Sequence, residues 1–304
     1  MVTETGNIKG KISFYCSVLK VSRQGFYSYL ENLSRPYKYK ALVALIQQII
    51  AEDECNDTYG SVRIWEALLL IRDTHQPDLH VPSQPTIARI MRENGLNQKK
   101  KQGPKGLTKA DREAQKSDNL IGRDFSANEP LKKVVKDITE VPTLDGKLYI
   151  AVVEDCFNNE VLGLSMDDNM RAELCVDALT AAVLAHPGLR GSNAIAHSDR
   201  GSQYTSHGYR AELEKFGIIQ SMNSAAGRCH DNAKCESLWG RFKEELLYGR
   251  YDTAKMPMRD VKSLIWRYFM SYWNNRRICS ANGGLPPAIK RSRFFLSAHP
   301  QPAA

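Results

Sequence analysis

The chain has 304 residues, 42% hydrophobic and 25% charged, with a formal net charge of +8. That length sustains two or three modest domains with at least one substantial core, and the composition excludes a disordered or fibrous chain. No run reaches the roughly eighteen apolar residues that a membrane helix needs, and MVTETGNIKGKISFYCSVLKVS holds no apolar segment long enough for a secretion signal, so a cytoplasmic protein is expected. The positive excess favours an anionic partner, of which nucleic acid is the commonest. Seven cysteines (16, 55, 156, 175, 229, 235 and 279) are scattered, odd in number and never spaced as C-x-x-C. They predict reduced, mostly buried thiols rather than a disulfide framework or a zinc finger.

Residues 1–96 read as a helical region. CSVLKVSRQGFYSYL places Ser22 where it can cap a helix after a tight turn, as in a small helix-turn-helix. ALVALIQQII (41–50), YGSVRIWEALLLI (59–71) and PTIARIMRENGL (85–96) carry apolar residues at helical spacing. Residues 97–125 form a basic linker: over 99–118, seven basic residues less three acidic leave +4, and Gly-Pro interrupts the run. Lys99, Lys100 and Lys101 within it are candidates to track a phosphate backbone.

Beyond residue 126 the periodicity changes. LKKVVKDITEVPT (131–143), KLYIAVVEDCF (147–157) and EVLGLSM (160–166) read as three strands joined by turns at Asp145-Gly146 and Asn158-Asn159. RAELCVDALTAAVLA (171–185) reads as a helix stopped by Pro187-Gly188, NAIAHSD (193–199) as a fourth strand, HGYRAELEKFG as a helix and GIIQSM (217–222) as a fifth strand. Two helices follow, 231–249 and 254–276, and then a polar tail with Pro286-Pro287. Three antiparallel strands followed by αβαβα is the order of a ribonuclease-H-like domain. The expected fold class is therefore α/β, a mixed five-stranded sheet with flanking helices behind a helical N-terminal region. The expected divisions are 1–96, 97–125, a core over 126–250, and a C-terminal helix and tail over 251–304.

Three carboxylates stand out by position: Asp137 in the first strand, Asp199 at the end of the fourth, and Glu236 one turn into the next helix. Ligands of open α/β sheets gather at the carboxyl ends of strands. Phosphodiester chemistry uses two Mg²⁺ ions about 3.5–4 Å apart, which prefer oxygen ligands, and three carboxylates from separate elements can hold them. On the helical wheel Glu236 and Lys243 fall within roughly 20° of each other, beside an apolar stripe of Leu238, Trp239, Phe242 and Leu246. Spacing alone leaves ordinary cap and surface carboxylates as an open alternative; Asp155, also at a strand end, reads as structural.

KDIT (136–139), HSDRGSQYTS (197–206), IIQSMN (218–223) and HDNAKCESLWGRFKEEL (230–246) closely resemble the OrfB-type transposases of the IS-three family of bacterial insertion sequences, within the DDE transposase and retroviral integrase superfamily. YGSVRIWEAL, IARIMRENGL, YFMSYWNNRR and GGLPPAIK extend the resemblance over nearly the whole chain. It implies that Asp137, Asp199 and Glu236 are the catalytic, metal-holding triad, and that Lys243 binds DNA. Sixty-one residues separate the aspartates, close to the usual gap; 36 separate Asp199 from Glu236, one more than usual, with the extra residue in NSAAGRC (223–229). Val135 and Asn158-Asn159 replace the family's usual Trp and Ser-Arg. Around Asp199, Arg200 and Gln203 are candidate DNA contacts and His197 either contacts DNA, orients the carboxylate or bonds locally.

The resemblance further implies two Mg²⁺ ions, replaceable by Mn²⁺, and 3′-end cleavage followed by strand transfer on a copy-out, paste-in route. Its DNA partners are the terminal inverted repeats and target DNA, bound by a homo-oligomer in the bacterial nucleoid. An upstream frame product fused by frameshift is a further implied partner. Two other readings stay open: a structure-specific nuclease on the same fold, such as a junction resolvase, and a non-catalytic DNA-binding protein derived from a transposase.

Overall fold

The computed structural model describes residues 12–97, 118–224 and 232–298. The chain divides after Gln48 into two compact units. The first holds α1 (Ile12–Val18), α2 (Arg23–Ser34) and most of α3 (Lys40–Ala51). Ser22 caps α2 as the sequence predicts, its hydroxyl accepting from the Gly25 amide at 2.9 Å.

The second unit begins with a 3₁₀ turn (Glu54–Thr58), then α4 (Ser61–Thr74) and α5 (Gln84–Glu93), which buries Ile87, Ile90 and Met91 on one stripe. Pro85 enters α5 in its first turn, where its missing N–H costs nothing. The sheet follows: β1 (Lys133–Thr143), β2 (Gly146–Asp155), β3 (Val161–Asp167), α6 (Ala172–Ala185), β4 (Ile195–Ser198), α7 (Ser202–Thr205), α8 (His207–Phe216) and β5 (Ile219–Met222). The strand order is β3-β2-β1-β4-β5; β1–β2 and β2–β3 pair antiparallel, whereas β1–β4 and β4–β5 pair parallel. This is the mixed five-stranded ribonuclease-H-like sheet expected from the sequence, with β1 at its centre.

Alternation along the strands feeds two cores. Val134, Ala151, Val153 and Leu162 meet α6 and α8 on one face. There β3 lies against α6 so closely that a Cβ on Gly163 would come within 2.1 Å of the Ala178 carbonyl oxygen, which reserves the position for glycine. On the other face Val141, Leu148, Ile150 and Val152 meet Leu238, Trp239 and Phe242 of α9 (Ala233–Phe242) together with aromatics farther along the chain. The two expected long helices are shorter and less regular. α9 passes into a π-helical turn (Lys243–Leu247), and α10 (Met258–Trp266) into another (Arg267–Trp273) that buries Tyr268, Phe269, Tyr272 and Trp273.

The C-terminal stretch departs from expectation. Residues 287–298 form α11 (Pro287–Ala298) instead of a polar tail, because Pro287 sits at the helix start, where proline is tolerated. Asn158 donates to the Pro287 carbonyl (2.8 Å), and Arg291 grips Glu160 at 2.7 and 3.0 Å. Among the described residues no helix is long and apolar enough to cross a membrane.

Candidate active site

Parallel pairing of β1 with β4 aligns Val135 with His197, so continuing that register sets Asp137 beside Asp199. Adjacent strands lie about 4.7–4.9 Å apart, which makes the two aspartates neighbours at the carboxyl edge of β4. Asp137 shares its face with Val135, which packs against Cys235 of α9. That helix therefore lies over Asp137, and Glu236 stands in its first turn.

Asp137 is half-buried, and one of its oxygens accepts a hydrogen bond from the Trp239 indole at 3.1 Å. Burial, and then the negative charge of Asp199, raise its carboxyl to about 7; Glu236 adds to the push, while the Ile138 amide and the Trp239 indole oppose it. Asp199 turns one oxygen to the Gly201 amide (3.0 Å), which fixes the exit of β4. Glu236 is exposed and, among the described residues, has no hydrogen bond or ion pair, so its side chain is free to rotate. Burial lowers the Lys243 ammonium below the usual lysine range, against the pull of Glu140 and then Asp137.

Asp199 and Glu236 thus both bear electrostatically on Asp137. Among the described residues, no three His, Cys, Asp or Glu side chains are drawn close enough to enclose a metal ion. Glu236, exposed, is the member with no hydrogen bond or ion pair among the described residues. The donor set itself suits a hard divalent cation: oxygen ligands only, from a strand, a strand end and a helix, around a carboxyl under strong negative field.

The other predicted contacts divide. Arg200 is half-buried and donates to the Asn223 carbonyl at 2.6 Å, and Gln203 donates to the Met170 carbonyl at 3.1 Å. His197 is fully buried, with Nδ1 2.8 Å from the Ser221 hydroxyl and Nε2 2.9 Å from the Asn223 side chain, so it bonds locally. Lys99, Lys100 and Lys101 lie outside the described residues. Asp155 accepts from the Leu131 and Phe157 amides at 2.9 and 3.0 Å, a turn-closing role in keeping with its structural reading. Sequence reasoning missed the Trp239 contact with Asp137; the clue was an indole placed between the apolar stripe of α9 and Glu236.

The Integrase core domain family matches residues 127–229. The Insertion element IS600 uncharacterized 31 kDa protein of Shigella sonnei is 30% identical over 284 residues, 93% of this chain and 99% of that protein. The Transposase InsF for insertion sequence IS3A of Escherichia coli (strain K12) is 32% identical over 278 residues, 91% of this chain and 92% of that protein. This chain belongs to the IS-three family of OrfB-type transposases. A solved structure of the HTLV-2 integrase catalytic core domain in complex with magnesium (trimeric form) covers 54% of this chain and 98% of its own, with a TM-score of 0.41 and 17% identity. Within this transposase family the integrase core match spans the whole sheet, from before β1 through β5.

Proposed function

We propose that the protein is a Mg²⁺-dependent DNA transposase that cleaves a 3′ end of its insertion sequence and transfers that strand. Asp137, on the central strand, with Asp199 and Glu236 would hold the ions, which would supply Lewis-acid stabilisation at the reacting phosphate. Trp239 fixes one oxygen of Asp137, leaving the other for an ion. Lys243 grips the terminal phosphates beside the reacting one. Mn²⁺ substitutes for Mg²⁺, since both accept carboxylate oxygen. The observation that carries this reading is the half-buried central carboxyl of Asp137, bonded by Trp239 and raised to about 7 with Asp199 and Glu236 as its charged neighbours, in a member of a transposase family.

The division into a helical N-terminal region (1–96), a basic linker (97–125), a catalytic core (126–250) and a C-terminal part (251–304) belongs to this proposal. So do contacts of Arg200, Gln203 and the linker lysines with DNA, oligomer formation on the element ends, nucleoid association, and action as a frameshift fusion with an upstream product. The test mixes purified protein, Mg²⁺ and labelled element-end DNA. A joined product from the wild type and none from Asp199→Asn is expected. Cleavage without joining would make the protein a nuclease; equal product from both proteins would remove Asp199 from the site.

A further inference from the structure

Helix α9 has two polar flanks. One carries Glu236, with Lys243 just past the helix end; the other, about 140–160° around the wheel from Glu236, carries Lys234 and Arg241. Against this second flank runs a groove made of two adjoining hollows of ≈ 290 and ≈ 360 Å³, which share Arg63, Arg241 and Ser280. The start of α4 forms part of its wall, and Gly60 there offers no side-chain cap to the first-turn amides.

The cations of the groove are not equivalent. Arg277 donates to both oxygens of Glu245 at 2.8 and 2.6 Å, and Arg63 reaches the same carboxylate at 2.9 Å. Lys234 stands 3.5 Å from Glu154 and donates to the Asn159 side chain. Arg241 has no hydrogen bond or ion pair among the described residues, and the charges of Arg277 and Arg63 bear on it directly. Glu244, on the rim, forms no ion pair with it. A third arginine gathered against two others is repelled, and Glu245, already bonded to both of them, offsets that only in part; an external anion would add to it.

The ridge between the two flanks is unusually low. Ser237 and Gly240 occupy it, and Gly240 lies in mid-helix, exposed, with nothing within 4 Å of the place a Cβ would take. Neither packing nor backbone conformation calls for glycine there, and glycine costs a helix interior about 1 kcal/mol relative to alanine. Missing side-chain bulk on an exposed ridge allows another molecule to approach the helix backbone. Arg241 lies five residues beyond Glu236, about 7.5 Å farther along the helix axis. A polyanion at the Glu236 flank can therefore cross the ridge and set a second phosphate at Arg241.

We propose that the DNA backbone crosses α9 at Gly240 and places a phosphate in the groove against Arg241, outside the carboxylate crevice. The proposal rests on the transposase reading for the identity of its polyanion, and its contacts are independent of sequence, since they reach only phosphate.

The test measures binding without chemistry: fluorescence anisotropy in EDTA, with one labelled duplex from the element end and one of unrelated sequence. Arg241→Gln is expected to weaken both about tenfold at low salt and to reduce the slope of log K against log[salt] by about 0.9, whereas Arg241→Lys keeps the slope. Gly240→Gln is expected to raise the melting temperature, because it improves the helix, and yet to weaken DNA binding; Glu244→Gln is expected to tighten it. Unchanged affinity and slope in Arg241→Gln would overturn the proposal. So would Gly240→Gln binding DNA as tightly as the wild type, or inorganic phosphate binding lost on Arg241→Gln while duplex binding is untouched. Because no metal is present and no joining is read, failure here leaves the joined-product test of the triad standing, and failure of that test leaves this result standing.

Discussion

Two carboxylates in this protein sit in opposite electrostatic surroundings. Glu245, almost fully buried, receives hydrogen bonds from Arg277, Arg63 and the Tyr268 hydroxyl. Burial pushes its carboxyl up, but the charge and hydrogen bonds of Arg277, then Arg63 and Tyr268, outweigh burial and hold it at about 2. Asp137 has an indole and a backbone amide as donors and two carboxylates as charged neighbours, and stands at about 7. A carboxylate ringed by its own cations ties elements together; here Glu245 joins α4 to the C-terminal π-turn and the chain beyond it. A carboxylate surrounded by others of its kind is left with an attraction for cations that the fold does not satisfy.

The largest effect that would break this contrast is catalytic. Asp137→Asn or Asp199→Asn should reduce joined product by about a thousandfold or more, as expected when several kcal/mol of metal-borne stabilisation are lost. Both variants should retain the wild-type circular dichroism spectrum. Removing the compensated carboxylate should do the reverse. Glu245→Ala leaves Arg277 buried without its partner and should lower unfolding free energy by about 3–5 kcal/mol in a denaturant titration.

pH separates the two sites further. Glu245 titrates near 4.5 when unfolded and near 2 when folded, so its contribution is complete above about 4.5 and is lost as pH falls toward 2. Asp137 titrates near 3.8 unfolded and near 7 folded, so the folded state holds the extra proton between those values and stability falls as pH rises through them. Without divalent metal, Asp137→Asn should therefore raise the melting temperature at pH 8 and leave it unchanged below pH 3.8. Mg²⁺ should stabilise the wild type at pH 8 and not this variant. A variant with no such pH dependence would place Asp137 outside the charged crevice. The smallest effect is at Trp239: Trp239→Phe keeps the ring packing, loses the hydrogen bond to Asp137, and should slow joining about tenfold.

Local pattern made much of the fold readable. Alternation along β1 to β3, the Asp145-Gly146 turn and the Ser22 cap are short-range features, and each appears where the sequence put it. The Glu245 tie was hidden because its arginines lie 182 residues before and 32 residues after it, with no periodicity joining them. The two π-turns were read as plain helix because their apolar spacing stays near helical. Helix α11 was hidden by Pro286-Pro287, which signals a break as readily as a helix start. At the candidate site, strand ends and a helical wheel could nominate Asp137, Asp199 and Glu236, but common spacing gives no reason to prefer them over Asp155. The resemblance of HSDRGSQYTS and HDNAKCES supplied that choice. His197, inside the same motif, is buried beneath Ser221 and Asn223, which no pattern in the sequence distinguishes from an exposed ligand.

The most direct measurement is anomalous diffraction from crystals of the protein with element-end DNA in Mn²⁺. Two manganese peaks sharing Asp137, with Asp199 on one or both and Glu236 turned inward to reach the second, are the predicted result. Manganese bound elsewhere, with all three carboxylates untouched, would contradict the account.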